Sequence, residues 1–123
     1  MKNTAGKALT ALKGPILITG HTGFKGTWLT LLLEKMGLEV VGISLPADED
    51  SLFKRLNRLG KVSESFTDIG NFELTQKKIA EYAPSVVFHM AAQPLVLNSY
   101  KSPRETFDTN VMGTVNVLDS CFH

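Results

Sequence analysis

Short uninterrupted apolar runs alternate along this chain with longer stretches in which apolar residues return at every third or fourth position. An unbroken run is what a strand covered on both faces of a parallel sheet requires, and the wider spacing marks a helix with one face turned to that sheet. Runs of the first kind predict strands at 16–19, 39–45 (centred on Val40-Val41-Gly42-Ile43) and 85–90 (Val86-Val87-Phe88). A thinner one at 61–66 has only Val62 and Phe66 among polar neighbours, which suits an edge. Helical spacing predicts helices over 24–36, 51–59, 71–82 and 103–121. In the first, Phe24, Trp28, Leu29, Leu31, Leu32, Leu33 and Met36 make a broad sheet-packing face with Trp28 in the core, and Gly37 is the stop. In the second, Leu52, Phe53, Leu56 and Leu59 turn inward; in the third, Phe72, Ile79 and Tyr82 do. The last opens on Pro103, turns Phe107, Val111, Thr114, Val115 and Leu118 to one side, and holds an internal Gly113 that implies a close neighbour.

Strand and helix alternate four times, so the crossovers are right-handed and the sheet is parallel. The predicted fold class is α/β, a partial Rossmann fold with four strands in the order 3-2-1-4 and helices on both faces. Where the chain reverses direction, between the first and fourth strands, a crevice opens at their carboxyl ends, and a ligand is expected there.

The first strand runs straight into Gly20, Gly23 and Gly26, after which a helix begins. In a strand-to-helix turn holding a pyrophosphate, the first glycine permits the turn, the second lets backbone approach the phosphates, and the third brings helix and strand together. Unpaired N–H groups at the helix start then form an anion site without a charged side chain. A nucleotide-hydrolase phosphate loop nearly fits Gly20 to Thr27, but its glycine must precede the lysine, and here the order is Lys25-Gly26-Thr27. A tight turn that binds nothing is the plain alternative. At the end of the second strand, where an acid usually bonds the adenosine ribose, stands Ser44, whose hydroxyl can bond ribose without repelling a 2′-phosphate. Asp48, Glu49 and Asp50 are read as a solvated connection that also caps the next helix. Beyond the fourth strand, the small residues of Ala91-Ala92-Gln93-Pro94 allow a flat ligand near the backbone.

At 123 residues the chain is one domain's length, with 43% hydrophobic and 20% charged residues, the balance of a soluble globular protein. A net charge of +1 gives no reason to expect nucleic acid, and no apolar run approaches a membrane span. Cys121 is the only cysteine, so no internal disulfide forms, and a reducing, cytoplasmic setting is expected. Residues 1–14 hold Lys2, Lys7 and Lys13 but no acid and no apolar segment, and are read as a flexible extension. Residues 15–123 form the expected half-domain.

Taken together, Gly20-His21-Thr22-Gly23-Phe24-Lys25-Gly26-Thr27-Trp28-Leu29, Ser51-Leu52-Phe53, the segment from Pro84 through His89-Met90-Ala91-Ala92-Gln93-Pro94 to Val96, Ser99-Tyr100, and Thr109-Asn110-Val111-Met112-Gly113-Thr114 resemble the extended short-chain dehydrogenase/reductase family, in its sugar-nucleotide dehydratase and epimerase branch. The resemblance spans nearly all of the chain after Gly14. It implies NAD as cofactor and, in the complete enzyme, a nucleotide-sugar substrate and frequent homodimers. Gly20, Thr22, Gly23, Phe24, Lys25 and Gly26 would surround the pyrophosphate. Asp68 and Ile69 would hold the adenine edge, Ala91, Ala92 and Gln93 the nicotinamide side, and Asn110 would support it. Plainer roles stand beside these: Asp68 as a helix cap, Asn110 as a backbone partner, Lys25 as a solvated cation, and His89 as a satisfied structural histidine. The chain departs from the family at Gly70-Asn71, where arginine and an acid are usual, and at Leu97-Asn98, where a basic residue is common. The family's Tyr-x-x-x-Lys pair is missing too, since Val86 and Arg104 stand four residues after Tyr82 and Tyr100. Hence no catalytic residue is assigned and no turnover is expected of this chain alone; a non-catalytic nucleotide-binding module and a truncated product without function are the alternatives.

Overall fold

The computed structural model describes residues 4–93 and 95–122, so Pro94 and His123 lie outside it. Four parallel strands, β1 (Ile16–Thr19), β2 (Val40–Ser44), β3 (Ser63–Phe66) and β4 (Val86–His89), form one sheet in the order β3-β2-β1-β4, as expected from the sequence. Central β1 and β2 are buried along their whole length because apolar layers cover both faces. Leu17, Val41 and Ile43 face a layer containing Ile69, Ile79 and Val117. Ile16, Ile18 and Val40 face the opposite layer with Leu33. Each such side chain contributes roughly 2 kcal/mol by leaving water. Edge strand β3 is mostly polar, as its sequence suggests. β4 is half-buried rather than fully covered, because among the described residues it pairs with β1 alone.

Helix α2 (Phe24–Lys35) turns Leu29, Leu33 and its C-cap Met36 to the core as expected, but departs from expectation over the rest of its face. Its inner side is Gly26, Thr27, Thr30 and Leu33, whereas Phe24, Trp28 and Leu32 form an outward stripe, Trp28 being 55% exposed. The helix starts so close to the glycine turn that only small side chains fit beneath it. Thr27 and Thr30 are satisfied there by donating to the carbonyls of Gly23 and Gly26, each at 2.7 Å.

The expected helix over 51–59 is a single turn, α3 (Leu52–Arg55), because Asn57 takes a left-handed φ of 51°. Phe53 is buried while Leu56 and Leu59 are exposed. Its cap is Ser51, whose hydroxyl accepts from the Lys54 amide, and not the acidic residues before it. α4 (Phe72–Tyr82) is capped by the Asn71 side chain and stops at Ala83 in the left-handed region.

The helix predicted over 103–121 is present and helical throughout, with a π-helical turn inside it. α5 (Val96–Lys101), unmarked in the sequence, precedes Ser102; then come α6 (Pro103–Phe107), a π-helical turn (Asp108–Met112) and α7 (Gly113–Cys121). α7 buries Gly113, Asn116, Val117 and Ser120. Phe107, Val111, Val115 and Leu118, read as sharing one side, are exposed. The cause is Gly113, where an added Cβ would lie 2.6 Å from Cδ1 of Ile69, so the small residues meet the sheet. Within the supposed extension, Thr4–Thr10 forms a helix, here α1, and Leu9 packs against the Ile16 and Ile18 layer. No helix among the described residues is long and apolar enough to cross a membrane.

Candidate functional site

Bare backbone from three elements converges at the carboxyl edge of the sheet. Gly20 ends β1 with φ +77°, and a Cβ there would lie 2.8 Å from Ala91 N. A Cβ on Gly26 would lie 2.1 Å from the Gly20 carbonyl oxygen, so the first turn of α2 rests directly on that peptide. Gly23 is the N-cap of α2 and has no side chain to bond the helix amides. The positive helix end therefore opens on the turn with donors free for an anion.

Beside this turn lies a cleft of about 260 Å³. Of the residues proposed from the sequence, Gly20, Thr22, Gly23, Ser44, Asp68, Ile69, Ala91 and Ala92 all line it. Phe24 and Lys25 sit exposed on the outer side of α2, and Gly26 is buried beneath the turn, so none of the three lines the cleft. Gln93 and Asn110 are also outside its lining and hold each other instead. The Gln93 amide donates to Asn110 Oδ1 at 2.7 Å, and Asn110 Nδ2 returns a bond to the Gln93 carbonyl at 3.0 Å. The cleft further includes Leu45, Pro46, Asp48, Thr67, Met90 and Thr109, which the sequence did not single out as ligand contacts. Most adjoin a residue that was singled out: Leu45 follows Ser44, Thr67 precedes Asp68 and Thr109 precedes Asn110. Adjacency was the available signal.

Hydroxyl protons around the cleft are fixed by their partners. Thr22 Oγ1 donates to the Leu45 carbonyl at 3.0 Å and lies 2.6 Å from Ser44 Oγ. Its single proton being spent, Thr22 accepts from Ser44, which leaves the Ser44 oxygen an acceptor toward the cleft. Asp68 is not a helix cap, since Asn71 fills that role. It accepts from the Gly70 amide at 2.8 Å in a local turn. The Ile69 carbonyl accepts from Asn116 Nδ2 at 2.8 Å, tying the cleft wall to α7.

His89 closes the network under the site. Thr114 Oγ1 donates to the Asn110 carbonyl at 2.7 Å, so it accepts from His89 Nε2 at 3.0 Å. Thr19 Oγ1 then donates to His89 Nδ1 at 2.7 Å while accepting from the Met90 and Ala91 amides. Burial lowers the His89 pKa, which keeps this ring neutral and structural. Tyr82 is half-buried beside the core with its pKa raised by burial, and Tyr100 is 81% exposed. Neither has the setting of an activated tyrosine base. No cluster of three or more metal-binding side chains occurs among the described residues.

Comparison with known proteins matches residues 17–122 to the family described as GDP-mannose 4,6 dehydratase. The chain is 50% identical over 106 residues to CDP-glucose 4,6-dehydratase of Salmonella typhimurium, covering 85% of this chain and 30% of that protein. Among solved structures, UDP-glucose 4-epimerase of Thermus thermophilus in complex with NAD superposes with a TM-score of 0.75 at 31% identity, over 87% of this chain and 33% of that one. An epimerase of Methanothermobacter thermautotrophicus gives 0.78 at 26% identity, over 94% and 33%. The chain thus spans about a third of the length of the relatives it matches. With the match running from β1 to the end of α7, the chain belongs to the GDP-mannose 4,6 dehydratase family of sugar-nucleotide dehydratases and epimerases.

Proposed function

We propose that this chain is the amino-terminal, NAD-binding half of the Rossmann domain of a sugar-nucleotide 4,6-dehydratase whose substrate is CDP-glucose. The observation that supports it most is the contact of Gly26 with the Gly20 peptide, a cradle that any Cβ would fill, placed at the start of an uncapped helix. That arrangement suits two linked phosphates held by main-chain amides. The amides of Phe24, Lys25 and Gly26 at the helix start face the pyrophosphate, with Gly23 letting it come close, so the exposed side chains of Phe24 and Lys25 do not count against their place there. Ser44 accepts from a ribose hydroxyl, Asp68 and Ile69 border the adenine, and Ala91 and Ala92 lie toward the nicotinamide. Gln93 and Asn110 act by holding the loop that carries those alanines. Asp48, also on the cleft, sets a carboxylate near the ribose and disfavours a 2′-phosphate.

When bound, the dinucleotide supplies a reversible store for a hydride. In the complete enzyme the net change is CDP-glucose to CDP-4-keto-6-deoxyglucose plus water: carbon 4 is oxidised, carbon 6 reduced, and water leaves across carbons 5 and 6. The half-identity to the Salmonella enzyme supports the CDP-sugar choice over other nucleotide sugars.

Titration calorimetry of the chain with NAD and NADP is the test. Saturable binding of one NAD, with NADP weaker, is expected. Gly23→Asp adds a good N-cap to α2 while placing a negative charge at the phosphates. It should keep or raise the melting temperature and weaken NAD by about tenfold or more. No NAD binding by the folded chain, or undiminished binding by Gly23→Asp, overturns the reading.

A further inference from the structure

His21 sits inside the glycine turn, yet its side chain points away from the cleft and is 1% exposed. It crosses over β2 at Gly42, where a Cβ would lie 2.3 Å from His21 Nδ1. Gly42 is paired with Ile18 of β1 on one side and with Glu64 of β3 on the other. By crossing there, the imidazole reaches Glu64, and Nε2 donates to Oε2 at 2.7 Å. Glu64 Oε1 accepts from the Gly60 amide at 2.7 Å, which fixes the carboxylate in turn. Phe53 meets the ring edge-on with centroids 5.8 Å apart, and Phe66 stacks on it at 6.4 Å. The turn is therefore gripped from below by a side chain anchored two strands away. His21 Nδ1 is buried and makes no hydrogen bond of good geometry, so Glu64 is the ring's one firm polar anchor.

We propose that His21 is a positioning residue: braced by Glu64 through the gap at Gly42, it sets the backbone path of Gly20 to Gly23 and so the affinity for the dinucleotide's phosphates. The inference rests on the NAD reading for its ligand, though the brace stands apart from it. The main-chain bonds Gly20 N to Ile43 O and Gly23 N to Gly20 O fix the two ends of the turn. Between them, the Thr27 hydroxyl reaches the His21 carbonyl at 3.3 Å, Thr22 ties to Ser44 and Leu45 on the cleft side, and the His21 side chain reaches the other way. His21 supplies the opposing hold.

The test uses three variants of the full chain, each read by NAD titration, melting temperature and the amide resonances of Gly20 and Gly23. His21→Phe keeps a ring between Phe53 and Phe66 but removes the donor, and should weaken NAD by about tenfold in a folded chain. His21→Gln restores a donor near the Nε2 position and should return affinity to within about threefold of the parent. Glu64→Gln, far from the cleft, should shift the Gly20 and Gly23 amides. NAD affinity unchanged in His21→Phe overturns the proposal. Should His21→Phe fail to fold, Glu64→Gln decides: shifts at Gly20 and Gly23 support the brace, and shifts confined to β3 overturn it. A parent chain that binds no NAD removes the cofactor reading alone, and the amide resonances still decide the brace.

Discussion

A methyl group on Gly26 would press on the Gly20 carbonyl, and main chain cannot turn aside. Gly26→Ala should therefore cost about 2–3 kcal/mol in urea denaturation and abolish NAD binding. At Gly113 the obstacle is the flexible end of Ile69, and alanine regains about 1 kcal/mol of helix propensity. Gly113→Ala should cost no more than about 1 kcal/mol, and equal losses at both positions would count against this account. Two histidines set a pH dependence. Burial lowers the pKa of His21 from 6.5, outweighing Glu64 and the Ile43 backbone, which raise it, and Arg58 adds to the lowering. His89 is lowered by burial in the same sense. Below pH 6.5 the unfolded chain takes up protons that the folded chain refuses. Their contribution is thus complete above 6.5 and is lost as pH falls through the lower folded values. The urea midpoint should drop between pH 7.5 and the acid side of neutrality, and a flat midpoint would contradict it.

Between elements, the paired bonds of Gln93 and Asn110 hold the exit of β4 to the π-helical turn. Asn110→Leu leaves a donor and an acceptor of Gln93 without partners, at about 2 kcal/mol. Hydrogen exchange should quicken at the Gln93 amide while β1 stays protected; uniform quickening would show general unfolding instead. The strands were legible because burial on both faces leaves unbroken apolar runs that need no choice of orientation. Helix faces were not. Phe24, Trp28 and Leu32 do share a side, as do Phe107, Val111, Val115 and Leu118, but spacing says which residues stand together and not which side meets the sheet. At α2 and α7 close approach reserved the inner side for Gly26, Thr27, Gly113 and Ser120. α5, with exposed Val96, Leu97 and Tyr100, is only six residues long, too short for spacing to mark it as a helix. In the site, the glycines were readable because their constraint is local, whereas the Gln93–Asn110 and His21–Glu64 pairs join residues that only the fold brings together.

Across the molecule, the apolar stripes of α2 and α7 face outward, and β4 presents an unpaired edge among the described residues. Exposed apolar area and an open strand edge both favour contact with another chain. This chain should show concentration-dependent association in sedimentation velocity, and a monomer at every concentration would refute that. The sheet order has a consequence for how the fold is reached. β1 precedes β4 by some seventy residues, yet the two are neighbours, with Ile16 facing Val86 and Thr19 facing His89. Such non-local pairing yields nothing until a long loop has closed, so it slows folding. On the ribosome, β1 through β3 must wait beside a vacant place until residues 86–89 appear, and the arrival of that segment, more than the growth of any helix, sets the pace.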